Sequence, residues 1–132
     1  MKYLLDTNIC IYAQKRNAAI LAHMKDAWQD GIAISAITLA ELEYSVQHSA
    51  APERNAIALA KFLSIVEILP FDSSAAIEYG DICSKLRRKG ITIGTMDMLI
   101  AAHGRSEKLT VVTHNTREFE RVEGLQLADW YE

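Results

Sequence analysis

Lys2-Tyr3-Leu4-Leu5-Asp6-Thr7-Asn8 is a short apolar run that turns abruptly polar, close to the start of the chain. An apolar run of this length, ending in polar side chains, is typical of a buried strand. Apolar residues at helical spacing follow it from Ile9 onwards. The sequence therefore predicts a strand that passes directly into a helix, with Asp6 at the junction.

The same alternation recurs along the chain. Further strands are predicted at Ile32–Ser35, Val66–Leu69, Leu109–Thr113 and Leu125–Leu127. Between them, helical spacing covers Thr38–Val46, a helix opened by Pro52, a helix capped by Ser73 or Ser74, and Met98–His103. Short strands separated by helices predict an α/β fold with a short central parallel sheet of four to five strands, covered by helices on both faces.

The composition is that of a single globular domain. The chain has 132 residues, of which 50% are hydrophobic and 23% charged, and this predicts one domain over residues 1–132. No run approaches the roughly 20 apolar residues of a membrane span, and Asp6 interrupts the first apolar run before a signal-peptide core could form. Cys10 and Cys83 lie within apolar helical patterns, which favours buried thiols over a disulfide. We therefore expect a cytoplasmic protein that does not enter a membrane.

The net charge argues against a nucleic-acid ligand. The chain carries 14 basic and 17 acidic residues, for a net charge of −3 at pH 7. Proteins that bind polyanions are usually basic overall. The strength of this objection depends on where the acidic residues lie.

Four acidic residues fall where a parallel sheet would bind a ligand. Asp6 follows the first strand directly, and Glu118 follows the fourth within Thr113–Glu118. Ligand sites in open parallel sheets lie outside the carboxyl ends of the strands. Glu41 and Asp97 reach the same edge only if the fold brings the starts of their helices there. Four carboxylates placed together repel one another. A hard divalent cation such as magnesium, bound among them, would offset this electrostatic repulsion.

Each of these acids also has a simpler interpretation when taken singly. Asp6 and Asp97 suit the N-cap positions of helices, where aspartate is favoured. Glu118 fits a charged polar turn. Glu41 competes with Glu43, which lies on another face of the same helix, and spacing alone does not choose between the two.

In combination, the segments that carry these acids resemble the PIN domain, and specifically the VapC toxins of bacterial toxin–antitoxin pairs. The matching segments occur in the family's order and cover the chain almost from end to end. They are Leu5-Asp6-Thr7-Asn8, Thr38-Leu39-Ala40-Glu41-Leu42, Ile93-Gly94-Thr95-Met96-Asp97 with Ile100-Ala101-Ala102-His103, Val112-Thr113-His114-Asn115-Thr116-Arg117-Glu118-Phe119, and Gly124-Leu125 with Asp129-Trp130.

The resemblance implies both a fold and a reaction. It implies a PIN-like three-layer sandwich, and the family's T-x-x-E-L spacing selects Glu41 over Glu43. The activity it implies is that of an endoribonuclease that needs Mg²⁺ or Mn²⁺. The acids implied as metal-binding and catalytic are Asp6, Glu41, Asp97 and Glu118. Glu118 stands where aspartate is more usual, and its extra methylene leaves room for contact with the metal through water. Water activated by the ion would attack phosphorus and leave 5′-phosphate and 3′-hydroxyl ends.

Four uncharged polar residues next to these acids are candidates for orienting the carboxylates. They are Thr7, Asn8, Thr113 and Asn115. Helix-cap and turn roles explain each of them equally well.

The resemblance also implies an RNA substrate and protein partners. Toxins of this type recognise folded RNA, and several cut initiator tRNA in its anticodon loop, so we expect tRNA as the substrate. They usually form homodimers, and a VapB-type antitoxin holds them inactive by covering the site and a hydrophobic groove. The segments Leu39–Val46 and Ile57–Val66 could supply this groove or simply be core. Operator DNA would be bound by the antitoxin, and a higher toxin–antitoxin assembly is compatible with this scheme.

A basic cluster near the end of one predicted helix is a candidate RNA-binding surface. It consists of Lys85, Arg87, Arg88 and Lys89. Positive charge is also favourable at a helix C-terminus for its own sake. Lys15 and Arg16 form a second, smaller basic pair.

Two rival interpretations remain open. His103 and His114 could act as general acid and base on the RNA 2′-hydroxyl without any metal. A catalytically silent module that binds RNA or protein could share the same fold. Cleavage that survives a chelator would favour the first, and an acid-to-amide variant that behaves like the parent protein would favour the second.

Overall fold

Five parallel strands form one sheet at the centre of the molecule. The computed structural model describes residues 1–131. The strands are β1 Tyr3–Leu5, β2 Ile32–Ser35, β3 Glu67–Leu69, β4 Thr110–Val112 and β5 Gln126–Ala128. The helices are α1 Thr7–Gln14, α2 Ala18–Ala27, α3 Ala36–Gln47, α4 Pro52–Leu63, α5 Ser73–Arg88, α6 Thr95–Ser106 and α7 Thr116–Phe119, with one 3₁₀ turn at Trp28–Asp30. The predicted α/β fold with a parallel sheet is confirmed.

The strand order places β1 in the middle of the sheet. The order is β3-β2-β1-β4-β5, and all four neighbouring pairs are parallel. The chain moves outward from β1 to β3 and then returns through β4, which lies on the other side of β1. Crevices at such a switch in strand order are where open α/β sheets bind ligands. The carboxyl ends of β1 and β4 flank this position.

Both faces of the sheet are covered by apolar side chains. Successive residues of a strand point to opposite faces, and Leu4 and Leu5 accordingly pack into two different cores. Leu5 joins the core that includes Ile9 and Ile34, whereas Leu4 joins the core that includes Val111. All five are fully buried. This arrangement is the three-layer sandwich that the sequence predicts.

The helix starts differ in detail from the sequence predictions. Asp6 is the N-cap of α1, since its Oδ1 accepts a hydrogen bond from the Ile9 amide at 2.9 Å. Asp97 is not an N-cap, because α6 begins two residues earlier and is capped at Gly94. The side chain that caps α5 belongs to Asp72 instead of either serine that follows it.

Both cysteines are free thiols. Cys10 is buried, as predicted, whereas Cys83 is only half-buried. Within residues 1–131, none of the helices is both long and apolar enough to cross a membrane.

Candidate active site

The first element of the site is the junction between β1 and α1. The Asp6 amide donates a hydrogen bond to the Val112 carbonyl at 3.0 Å, which ties the end of β1 to the end of β4. Asp6 is only 4% exposed, and Thr113, the residue directly after β4, is fully buried beside it. Aspartate at this point therefore serves two roles, since it caps α1 and places a carboxylate at the sheet edge.

Burial dominates the electrostatics of Asp6. Loss of solvent raises the pKa of its carboxyl to about 6, because desolvation disfavours the charged form. Hydrogen bonds from the Thr113 side chain and the Ile9 amide lower this pKa, while the negative charges of Asp97 and Glu41 raise it. The two charge effects show that carboxylates from α3 and α6 approach the end of β1.

Glu41 reaches the site through a short hydrogen bond. The Thr7 hydroxyl donates to Glu41 Oε1 at 2.6 Å. The Oγ1 atoms of Thr7 and Thr38 lie 3.4 Å apart, and Thr38 is fully buried one turn before Glu41 on α3. Glu43, in contrast, is exposed. The Thr7–Glu41 hydrogen bond thus joins the first turn of α1 to the middle of α3.

Asp97 lies in the first turn of α6, facing the same corner. Partial burial is the largest cause that raises the pKa of its carboxyl, followed by the negative charges of Glu41 and Glu118. A hydrogen bond from the Asn115 side chain acts in the opposite direction. The charge effects on Asp6 come from Asp97 and Glu41, and those on Asp97 come from Glu41 and Glu118, which places the four acids near one edge of the sheet.

The segment after β4 supplies both an acid and its support. The Asn115 amide donates to Thr113 Oγ1 at 2.9 Å, which shapes the turn into α7. Glu118 lies on α7, and Arg121 donates to its Oε2 at 3.3 Å and to the Thr92 carbonyl at 3.1 Å. The sequence did not predict a role for Arg121. Its three-residue spacing from Glu118 was the available signal, because residues this close in the chain can meet across the turn that ends α7.

A cleft opens beside the acids, between α1 and α3. Its volume is about 480 Å³. Its walls are formed by Thr7, Asn8, Ile11, Ala40, Glu41, Tyr44, Ser45 and Met96. Asn8 is exposed in this cleft, so its side chain faces open space rather than a buried carboxylate. This separates Asn8 from the other three polar candidates, which contact the acids or shape the turn beside them.

The two histidines do not form an acid–base pair. His103 is fully buried, with Nδ1 at 2.8 Å from Ser35 Oγ and Nε2 at 2.7 Å from Glu107 Oε2. His114 is exposed, and its Nδ1 lies 3.0 Å from Asp129 Oδ2. Since His103 has both ring nitrogens occupied inside the protein, it cannot touch RNA. The metal-free mechanism, which needs both His103 and His114 at the RNA, is therefore not supported.

The basic cluster is partly neutralised by acids. Lys85 Nζ lies 3.2 Å from Asp81 Oδ1, and Lys89 Nζ lies 3.0 Å from Glu123 Oε1. The remaining basic members of the cluster, Arg87 and Arg88, are exposed. Within residues 1–131 neither arginine has an ion-pair partner, so these two are the unpaired cations of this cluster.

The donor chemistry of the site suits a hard divalent cation. All four acids offer carboxylate oxygens, the ligands that Mg²⁺ and Mn²⁺ prefer. Across residues 1–131, no three or more His, Cys, Asp or Glu side chains are arranged so that they could all bind the same ion. Magnesium commonly keeps several waters and is bound through one or two carboxylates plus substrate phosphates. A pair of direct ligands, with the other acids beyond a water, therefore fits this arrangement.

Known proteins are similar to this chain in sequence and fold. The PIN-domain family model matches residues 3–125. A VapC of Shigella flexneri, named as a tRNA(fMet)-specific endonuclease, is 43% identical over 130 residues, which are 98% of each chain. The crystal structure of VapBC2 from Rickettsia felis, bound to a DNA fragment of its promoter, includes a chain with TM-score 0.95 and 41% identity, covering 98% of this chain and 99% of that one. DNA-bound VapBC from Salmonella typhimurium gives TM-score 0.94 and 43% identity, covering 98% of both chains. Given this agreement over nearly the whole length, the chain belongs to the PIN-domain family and, within it, to the VapC ribonucleases of VapBC toxin–antitoxin systems.

Proposed function

We propose that this protein is a metal-dependent endoribonuclease toxin that hydrolyses phosphodiester bonds in structured RNA. The observation that carries the proposal is the convergence of Asp6, Glu41, Asp97 and Glu118 at the switch point of the sheet. Carboxylates that raise one another's pKa are unfavourable on their own. A divalent cation bound among them would offset this repulsion.

Asp6 and Asp97 are the proposed direct ligands of Mg²⁺ or Mn²⁺. Asp6 is fixed by the Ile9 amide, and Asp97 by the side chain of Asn115. Both groups are partly or fully withdrawn from water, which strengthens their attraction to a cation. A bound divalent ion supplies Lewis-acid stabilisation of the phosphate and activation of water.

Glu41 and Glu118 are the two remaining acids of the cluster and are proposed to lie farther from the ion than Asp6 and Asp97. Glu41 is oriented by the Thr7 hydroxyl, and Glu118 is held by Arg121. We propose that each contacts the ion directly or through water and accepts protons near the scissile phosphate. Arg121 offsets part of the negative charge that an incoming phosphate would otherwise meet.

Initiator tRNA is the proposed substrate. The relative from Shigella flexneri is named for tRNA(fMet) cleavage and shares 43% of its residues with this chain. The anticodon loop is the proposed target, because a single-stranded loop exposes its bases for recognition. Cleavage there would block translation and arrest growth. The exposed Arg87 and Arg88 are proposed to contact the phosphate backbone.

A VapB-type antitoxin is the proposed partner and inhibitor. The solved relatives from Rickettsia felis and Salmonella typhimurium are VapBC complexes on DNA. An apolar groove of about 380 Å³ between α1, α2 and α4 is the proposed seat for the antitoxin; its lining includes Leu21, Met24, Ile57, Phe62 and Ile65. We further propose a cytoplasmic homodimer, able to enter a larger toxin–antitoxin assembly, that meets operator DNA only through the antitoxin.

The test is cleavage of an initiator tRNA transcript, with mapping of the new ends. The wild-type protein with Mg²⁺ is expected to give fragments that carry 5′-phosphate and 3′-hydroxyl ends. EDTA should abolish cleavage and added Mn²⁺ should restore it, while Asp97→Asn should be inactive. Glu43→Gln is the matched control, since this exposed glutamate lies outside the site on the same helix as Glu41.

Three results would refute the proposal. Cleavage that survives EDTA would exclude the metal. Fragments that end in a 2′,3′-cyclic phosphate would show that the RNA's own hydroxyl is the nucleophile. Equal cleavage and equal growth arrest by wild type and Asp97→Asn would show that the acidic cluster is not the site.

A further inference from the structure

The cleft between α1 and α3 is lined by apolar and uncharged polar side chains for which metal binding by the four acids gives no role. It is continuous with the site, because Thr7 and Glu41 form part of its wall. Tyr44 and Met96 also line it, and they are 62% and 47% exposed. Tyr44 and Met96 therefore present apolar surface inside a cleft beside the acids, and ligand sites are commonly clefts with apolar and aromatic walls.

The aromatic ring of Tyr44 is oriented by a stacking contact. Its ring stacks on the imidazole of His48 one turn later on α3, with centroids 4.3 Å apart and planes 29° from parallel. One face of the ring is therefore covered by the His48 imidazole, which is itself exposed. A ring fixed in this way loses little rotamer freedom when a second flat group stacks on it.

Polar groups accompany the ring. Asn8 and Ser45 line the same cleft and are exposed. The Asn8 amide offers both a donor and an acceptor, and the Ser45 hydroxyl offers the same pair on one atom. An aromatic surface flanked by amide and hydroxyl groups is the usual way in which proteins hold a base of single-stranded RNA.

We propose that this cleft is a nucleobase subsite, in which Tyr44 stacks on a base of the RNA next to the phosphodiester that is cleaved. This inference rests on the proposed ribonuclease function and adds a position for one nucleotide. Met96 contacts the base from the α6 side, one residue before Asp97. Asn8 and Ser45 meet its polar edge and give the site a preference among bases.

Direct binding tests the proposal separately from cleavage. The probe is the fluorescein-labelled anticodon stem–loop of initiator tRNA, bound to Asp6→Asn protein so that the RNA stays intact, with fluorescence anisotropy as the readout. Tyr44→Ala in this background should weaken binding by roughly five- to 150-fold, the range that loss of one base–aromatic stack gives. Tyr44→Phe, which keeps the ring, should bind within about twofold of its parent.

A scan with single abasic nucleotides locates the base. Removing the stacked base should weaken binding to protein that contains Tyr44 and should have little effect on Tyr44→Ala. Trp28→Ala is the matched control, since Trp28 is an aromatic residue 53% exposed outside this cleft, and it should bind like its parent. Because Tyr44 is largely exposed, the thermal unfolding midpoint of Tyr44→Ala should stay that of its parent.

Two results would overturn the subsite. Equal affinity of Tyr44→Ala and its parent for the stem–loop would exclude stacking. Equal losses at every abasic position in both proteins would show that Tyr44 contacts no particular base. Failure of the ribonuclease function would instead appear as intact RNA with the wild-type protein and Mg²⁺, which this binding experiment does not measure.

Discussion

His103 Nδ1 and Ser35 Oγ lie 2.8 Å apart in a fully buried contact that joins α6 to the start of α3. Ser35 Oγ also accepts from the Ile37 amide at 3.1 Å, which caps the helix that carries Glu41. His103 stands on the helix that carries Asp97. The two helices that deliver these acids are thus connected through one buried polar contact.

Loss of the imidazole is expected to destabilise the fold. His103→Ala leaves a cavity and removes one of the two hydrogen-bond partners of the Ser35 hydroxyl, at a cost of roughly 2–4 kcal/mol. Urea unfolding at one fixed protein concentration measures the change. Glu107→Gln, at the partly exposed end of the same chain of contacts, should cost less than about 1 kcal/mol. A His103→Ala protein as stable as wild type would show that this contact contributes nothing.

The buried Asp6 carboxyl is expected to make the metal-free protein less stable at neutral pH. Its pKa is raised from 3.8 to about 6 on folding, so the folded state binds more protons than the unfolded state between these values. Stability therefore falls as pH rises through that window, by up to about 3 kcal/mol. Asp6→Asn keeps a side-chain oxygen for the Ile9 amide and removes this titration.

Urea unfolding in EDTA at pH 5 and pH 8 measures the effect. Asp6→Asn should gain stability relative to wild type as the pH is raised. Asp81 provides a control, because hydrogen bonds from Arg105 and Lys85 lower its pKa below the ordinary value of 3.8, and its carboxyl is therefore ionised in both the folded and the unfolded state at pH 5 and at pH 8. The stability difference between Asp81→Asn and wild type should be the same at the two pH values. An Asp6→Asn difference that does not change with pH would exclude the raised pKa.

Divalent ions are expected to stabilise the folded protein. An ion that binds only the folded state, at a concentration a hundred times its dissociation constant, adds roughly 2.7 kcal/mol. Thermal unfolding with increasing Mn²⁺ should show a rising midpoint for wild type and a much smaller rise for Asp97→Asn. Glu43→Gln should respond like wild type. A rise of equal size in Asp97→Asn would place the ion elsewhere.

The Thr7 hydroxyl is expected to matter for activity more than for folding. Its hydrogen bond orients Glu41 at 2.6 Å, and loss of such a partner typically costs 10–100-fold in activity or metal affinity. Thr7→Val keeps the shape and should reduce RNA cleavage by roughly that factor, while Thr7→Ser should retain most of it. Cleavage by Thr7→Val at the wild-type rate would show that Glu41 needs no such orientation.

The exposed arginines are expected to set the salt dependence of RNA binding. Each phosphate contact contributes about 0.7 to the slope of log affinity against log salt for single strands. Replacing Arg87 and Arg88 together by alanine should lower the slope by about twice that amount. Lys85→Ala should change it less, since Lys85 is already paired with Asp81. An unchanged slope in the double variant would show that the end of α5 does not contact the RNA.

The sheet could be predicted from the sequence because short apolar runs and turn residues are local patterns, whereas the choice of Glu41 over Glu43 depended on the resemblance to a family. Asp6 illustrates the limit of such patterns, since helix capping and a place among other acids compete as explanations in the sequence. In the structure the same residue caps α1 and lies beside other carboxylates. The partners of Thr7 and His103 lie 34 and 68 residues away. Those contacts depend on how α1, α3 and α6 pack against one another, and this packing cannot be predicted from the spacing of residues within one segment.

The position of β4 bears on how the protein is made. β4 pairs directly with β1 at the centre of the sheet, yet it is synthesised after most of the chain, and Asn115 and Glu118 follow it. A ribosome that has not yet reached β4 therefore holds a polypeptide in which Asp6 still lacks the Val112 carbonyl and the Thr113 side chain beside it. Growth arrest should begin with release of finished molecules, and a premature stop codon anywhere before β4 should give a harmless product.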